Sequence, residues 1–438
     1  MKYFDSPGFR KYFANTSWLL AERVFRLAVN LFVGIYVARY LGPQQFGILS
    51  YALSFVSIFS AFALLGLDTI IVRELVKEEG HRDEILGTAC CLKLFGALVV
   101  LLMITLVLPF IDVTQREMAL VYVITVGLLF QSVNVIDFFF QAKVQSRYVV
   151  KAQVVQVALS AAVKLLLVWN DAPLLWFGIV IAADHFVLGV GLISMYSKSG
   201  RTVFRWCYRW MLAKKLLREA WPLIFSALAV SVYMQIDQVM IKIMLDAEAV
   251  GNYAAAVRIS EAWYFIPIAI TASLFPAIVK AKEVEEYHYR QKLQKLGDLM
   301  VWLAVGVALP ITFIADWLVK LLFGAEFHSA GPVLSIHVWA GVFVFIGCVV
   351  GRSFVADNNQ ILNLYRNVAG MLVNIGLNLL LIPEWGINGA AIATIISYAV
   401  SSYFVIVIFK SGRANFILVT KSLCFAHLFA RKREEGLG

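Results

Sequence analysis

The stretch L-G-P-Q-Q-F-G-I-L-S-Y-A, Leu41 to Ala52, aligns without gaps on L-D-A-E-A-V-G-N-Y-A-A-A, Leu245 to Ala256. Leu41 matches Leu245, Gly47 matches Gly251 and Ala52 matches Ala256. Each copy joins the first and second of six long apolar runs, so the repeat unit is half the chain and the two copies share one orientation. A softer match falls late in each half, W-F-G-I-V-I-A from Trp176 against I-N-G-A-A-I-A from Ile387. The spacing predicts two six-helix bundles related by a parallel repeat.

Composition agrees with that reading. Of 438 residues, 61% are hydrophobic and only 15% charged, with a mean hydropathy of +0.80. A soluble domain is far less apolar. A helix needs about 20 apolar residues to cross the hydrocarbon, and about twelve such runs are present. They fall near 17–40, 46–72, 87–111, 118–141, 149–169, 174–196, 219–245, 252–278, 297–323, 332–356, 361–383 and 388–410. The expected fold is therefore an all-α integral membrane protein. Its expected parts are a lobe over 1–196, a basic cytoplasmic linker over 197–218, a second lobe over 219–411 and a cytoplasmic tail over 412–438.

Lys and Arg set the orientation, because cytoplasmic loops retain positive charge. Seven lie between 197 and 218 and five between 279 and 296, whereas the opposite loops carry only Arg116. Both termini are expected in the cytoplasm. The net charge of +10 is then a topology signal, and a nucleic-acid partner is not expected. The first apolar run is too long and too charged for a signal peptide. The stretch 414–430, interrupted by Lys421 and His427, reads as an interfacial helix, since a further span would put Arg431, Lys432 and Arg433 outside.

Five cysteines without C-x-x-C spacing argue against a disulfide framework or a zinc site, and six scattered histidines suggest no metal pair. No metal or cofactor is expected. The longest loops run to about twenty residues by these boundaries, too short for a soluble catalytic domain, so the chain does not read as an enzyme.

Several motifs carry a family resemblance: A-R-Y-L-G-P-Q-Q-F-G-I-L-S-Y-A from Ala38, G-L-D-T-I-I-V-R-E from Gly66, and M-Q-I-D-Q-V-M-I from Met234. The runs V-G-N-Y-A-A-A-V-R-I-S-E from Val250 and I-N-G-A-A-I-A-T from Ile387 complete it. Over nearly its whole length the chain resembles the polysaccharide transporter and O-antigen flippase branch of the multidrug/oligosaccharidyl-lipid/polysaccharide exporter superfamily. The resemblance implies a two-lobed transporter that moves polyprenyl-diphosphate-linked oligosaccharide to the outer leaflet of a bacterial plasma membrane by alternating access. It serves O-antigen, capsule or exopolysaccharide assembly. A polysaccharide polymerase and a chain-length regulator are candidate partners, membrane lipid is the surroundings, and the transport unit is expected to be monomeric.

Residue chemistry suits such a cargo. Arg donates a planar fork to phosphate oxygens and stays charged. In W-L-L-A-E-R-V-F-R-L-A-V-N-L-F-V-G, Trp18 to Gly34, Arg23, Arg26 and Asn30 share one face of the first span. Further candidate contacts are Lys164 with Gln153, Gln156 and Ser160, Gln235 and Gln238 with Ser231 and Lys242, and Arg258. Polar stripes also run along Gln131-Asn134-Gln141 and Asn367-Asn374-Asn378. Such stripes serve as sugar walls or as helix-to-helix hydrogen bonds, and both readings stand. Glu22 can neutralise Arg26, and Glu261 can neutralise Arg258. Candidate coupling carboxylates are Asp184, Glu261 and Asp237, while Lys93 can meet Asp137 or Asp68. Pro267 and Pro276 bracket an expected bend. The competing readings are a cation-coupled multidrug exporter of the same superfamily and a membrane enzyme of polysaccharide assembly. The first needs a carboxylate-centred pocket, whereas the deepest charges here are arginines.

Overall fold

Hydrocarbon offers no partner to a backbone N–H or C=O, so long apolar runs close their hydrogen bonds internally as helices. A computed structural model describes residues 7–357, 359, 361–409 and 412–424, and among these residues there is no strand. Among the described residues, nine helices are long and apolar enough to cross a membrane. Two of these nine each carry two of the predicted runs. Ser17–Lys77 turns at Gly42 (φ 69°, ψ 170°) just before Pro43, and Ile361–Val407 turns at Gly386 (φ 57°, ψ −139°). Left-handed backbone of this kind strains any residue with a Cβ. Three other predicted runs are broken into two helices each.

The chain forms two compact units, Met1–Ser231 and Val232–Gly438. The first unit comprises α1 (Pro7–Leu64), α2 (Asp68–Lys77), α3 (Arg82–Val107), α4 (Gln115–Gln131), α5 (Val135–Ala142), α6 (Arg147–Trp169), α7 (Leu174–Lys198) and the start of α8 (Trp210–Met244). Thr114 and Glu117 close a reciprocal capping box at the start of α4. The core of this unit is built on Leu67, Ile71, Leu86, Phe139 and Tyr196, and Ala213, Leu216 and Ala220 of α8 belong to it.

The basic stretch expected as a linker over 197–218 is pinned to this unit. Cys207 N–H donates to Asp83 C=O (3.3 Å), Arg209 N–H to Thr88 Oγ1 (3.1 Å), and Arg209 pairs with Glu84 (2.8 Å). Buried Glu74 takes Lys215 at 2.5 Å and Arg73 at 3.0 Å, and Arg73 also pairs with Glu219. From Trp210 onward the stretch is already α8, and the division between the units falls inside that helix rather than in the loop before it.

The second unit holds the rest of α8, then α9 (Ala247–Glu261), α10 (Phe265–Val284), α11 (Glu286–Phe323), α12 (Ala330–His337), α13 (Ala340–Ala356), α14 (Ile361–Ala399) and α15 (Arg413–Leu423). Asp246 caps α9 by accepting the Ala249 N–H at 2.7 Å, so the repeated Leu-x motif breaks the helix in both halves. The bend expected between Pro267 and Pro276 lies instead before them, at Ala262–Tyr264. Pro267 sits in the first turn of α10, where its missing N–H removes no helical bond.

The described part of the tail packs on protein. Gln294 of α11 donates to Leu418 C=O (3.1 Å) and Ser422 Oγ (2.8 Å), and Ser422 donates to Asp298 (2.6 Å). The expected interfacial stretch beyond Cys424, with Arg431, Lys432 and Arg433, lies outside the described residues.

Lys282 closes the same end of this unit by donating to Ala356 C=O (3.1 Å) and to Asp357, a cation placed at the C-terminus of α13. The hydrogen bond it donates to Asp357 raises the Lys282 ammonium above the ordinary lysine range. Its contribution to stability is therefore complete below the unfolded lysine value and lost as pH rises through the raised one. Because the side chain is 30% exposed, Lys282→Met is expected to cost about 1 kcal/mol at neutral pH. Thermal unfolding in detergent should show that difference shrinking only at pH above the ordinary lysine range.

Candidate functional site

The first helix positions its charges unequally. Glu22 is buried and pairs with Arg26 Nε at 3.2 Å, while the Arg26 side chain stays 41% exposed. Arg23 and Asn30 are exposed. At membrane depth, an exposed cation that faced lipid would be costly, so such residues face a wet or protein-lined space. The expected neutralisation of Arg26 by Glu22 is thus present, and Arg23 stands on the surface of the helix.

Lys164 and Asp184, expected in separate roles, are brought together. Lys164 Nζ lies 3.3 Å from Asp184 Oδ2, which also accepts from Ser160 Oγ at 2.9 Å. Both side chains are partly exposed between α6 and α7. Lys93 chooses Asp68, at 3.0 Å, and lies over the ring of Phe138, 4.5 Å from its centroid.

In the second unit, Asp237 is the centre of a buried network. Its Oδ2 accepts from Tyr253 Oη (2.7 Å) and Thr394 Oγ1 (2.6 Å), and its Oδ1 accepts from Asn378 Nδ2 (2.6 Å). Asn378 also reaches Asn374 Oδ1 at 3.2 Å, and Thr394 Oγ1 stands 2.9 Å from Ala390 C=O. The single Thr394 proton serves one of its two acceptors at a time. Asp237, Asn374 and Asn378 are all buried, so α8, α9 and α14 meet around a carboxylate that accepts from two hydroxyls and an amide. A proton-exchanging group suits such a buried position.

Asn374 and Asn378 thus belong to the Asp237 network. Gln235, Gln238, Arg258 and Glu261 are partly buried. Sequence reasoning missed Tyr253 and Thr394. Their signal was available, since Tyr253 lies in V-G-N-Y-A-A-A and Thr394 ends I-N-G-A-A-I-A-T.

Comparison with known proteins follows this geometry. The family model described as polysaccharide biosynthesis protein matches residues 12–282, and the one described as lipid II flippase MurJ matches residues 162–428. A probable low-salt glycan biosynthesis flippase, Agl15 of Haloferax volcanii, is 25% identical over 237 residues, covering 51% of this chain and 50% of that protein. The chain spans about half the length of the curated relatives it matches. Among solved structures, an inward-facing multidrug resistance MATE family transporter superposes with a TM-score of 0.73 at 16% identity, covering 90% of this chain and 96% of that one. The lipid II flippase MurJ in an inward closed conformation gives 0.68 at 13% identity, covering 94% and 92%. At these identities the likeness concerns the fold alone, a membrane-transporter fold. The family model covers well over half of the sequence, and the chain belongs to the polysaccharide biosynthesis protein family.

Proposed function

We propose that the protein is a flippase for polyprenyl-diphosphate-linked oligosaccharides, moving them from the cytoplasmic to the outer leaflet of a bacterial plasma membrane. The observation that carries this reading is the pair of arginines at membrane depth, Arg23 exposed and Arg26 partly so, on one face of α1. Arg forks suit a diphosphate, and they repel the organic cations that a drug exporter carries. The flippase names of the curated relatives support the same cargo class. In this reading Arg23, Arg26 and Asn30 receive the head group. Lys164, Arg258, Gln235 and Gln238 contribute along the sugar, with Lys164 held by Asp184. Asp237 is the coupling carboxylate, exchanging a proton or a small cation within its buried network, and Glu261 and Asp184 are secondary candidates.

Twelve spans in two six-helix lobes with cytoplasmic termini complete the proposal, as does a monomeric transport unit that feeds a polymerase and a chain-length regulator. The test is reconstitution of the full chain in liposomes with a fluorescent farnesyl-diphosphate disaccharide in one leaflet. The expected result is leaflet exchange well above that of empty liposomes, with no uptake of ethidium. Ethidium transport without exchange of the diphosphate lipid would replace this reading with the drug-exporter one.

A further inference from the structure

Arg366 lies early in α14, and no motif singles it out. Its Nη2 donates to Gly347 C=O at 3.1 Å, while Nε and Nη1 are sealed from solvent without a hydrogen-bond partner among the described residues. No carboxylate among those residues forms an ion pair with it. The guanidinium lies in a groove left by two glycines one turn apart on α13. A Cβ at Gly351 would stand 3.1 Å from Nη2, and one at Gly347 would stand 3.7 Å from Nη1 and 2.8 Å from Ser402 Oγ. One turn along α14, Gly370 makes the same kind of room for Tyr233, whose ring would be 3.0 Å from a Cβ there. Tyr233 Oη is buried with Ser401 and the Arg366 guanidinium as its polar neighbours, and Tyr233 precedes Asp237 by one turn of α8.

A folded protein seldom withholds charged donors from both water and acceptors, and where it does, a missing species is the usual reason. The unmatched groups here are N–H donors of a guanidinium to which no carboxylate among the described residues is paired, with a phenol alongside. That set calls for an anion, and the guanidinium fork selects a phosphate oxyanion. We propose that Arg366 and Tyr233 form a phosphate-oxyanion subsite inside the second unit. Phosphate oxygens reach it from one of two sources, the diphosphate of the cargo or a phospholipid head group, and only the first of these rests on the flippase reading. Through Tyr233, occupancy of the subsite is felt one helical turn from the Asp237 network.

The test uses full-length protein in phosphatidylcholine nanodiscs. Cys348, partly buried and next to Gly347, is retained as the reporter, with the other four cysteines changed to serine. Farnesyl diphosphate is expected to slow alkylation of Cys348 by N-ethylmaleimide. Arg366→Gln should remove that protection and weaken farnesyl diphosphate binding about tenfold or more, with Arg366→Lys in between. Protection by phosphatidylglycerol instead, equally dependent on Arg366, supports the subsite with a lipid as its source. If neither compound protects Cys348, or if Arg366→Gln leaves protection intact, the proposal is overturned. Should the Gln variant fail to fold, the wild-type protection and the Lys variant decide. Binding is read without transport, so loss of leaflet exchange with binding intact sinks the flippase reading and leaves this one standing.

Discussion

Asp237→Asn protein inserts into the membrane in near-normal amount and exports roughly ten- to a hundredfold less glycan: that is the largest effect expected from this structure. Asn keeps the shape of the side chain and part of its hydrogen bonding, but it cannot carry the charge that a proton or cation exchanges against. Coupling between two sites is worth about 1–3 kcal/mol, so transport by the variant should fall roughly ten- to a hundredfold. Asp237→Ala goes further. It removes the acceptor shared by Tyr253 Oη, Thr394 Oγ1 and Asn378 Nδ2 and empties the centre of the network; Thr394 and Asn378 keep Ala390 C=O and Asn374 Oδ1, so the loss is about 1–3 kcal/mol for the buried group left unpaired. That variant should melt well below the parent in detergent, whereas the Asn variant should not. Leaflet exchange by Asp237→Asn at the parental rate would remove the carboxylate from the coupling step.

The second large effect concerns α1. Arg23→Ala and Arg26→Ala should each lower export of surface glycan by roughly ten- to a hundredfold, the size of a lost charge-assisted contact. They should differ in stability. Arg26 is the ion-pair partner of buried Glu22, and removing it leaves a carboxylate uncompensated, while exposed Arg23 can be lost without that penalty. Adding Glu22→Gln to Arg26→Ala should restore the melting temperature and leave export low. Lysine at either position should rescue in part, since charge survives and the fork does not. Normal export by both alanine variants would take the arginines out of the cargo path.

Much of this was legible in the residues because the membrane is a stringent solvent. Apolar run length gave the long helices, and the repeated Leu-x motif marked where each half breaks its first helix, at Gly42 and at Asp246. What escaped was the pairing of polar groups across helices. One span's periodicity tells which residues share a face and says nothing of what stands opposite. Lys164 and Asp184 therefore read as separate functions until α6 met α7, and Asn374 and Asn378 read equally as a sugar wall or as helix-to-helix hydrogen bonds until α14 met Asp237. Three of the quoted family motifs converge on that carboxylate through Asp237, Tyr253 and Thr394. Arg366 escaped for a different reason. Near a helix start it resembles a snorkelling residue, and only the glycine groove on α13 reveals that its nitrogens are sealed.

The position of the division between the units has a practical side. Loop 199–209 is the obvious place to sever the chain for co-expression of two fragments. A cut there would hand Ala213, Leu216, Ala220 and Lys215 to the downstream fragment, although all four pack on or pair with the upstream one. Neither fragment would then be a self-sufficient piece. The upstream one would expose the wall on which α8 begins, and the downstream one would carry an apolar helical arm with no surface of its own to cover it. The sequence suggests a cut at one place, and the folded molecule divides at another, about six helical turns later.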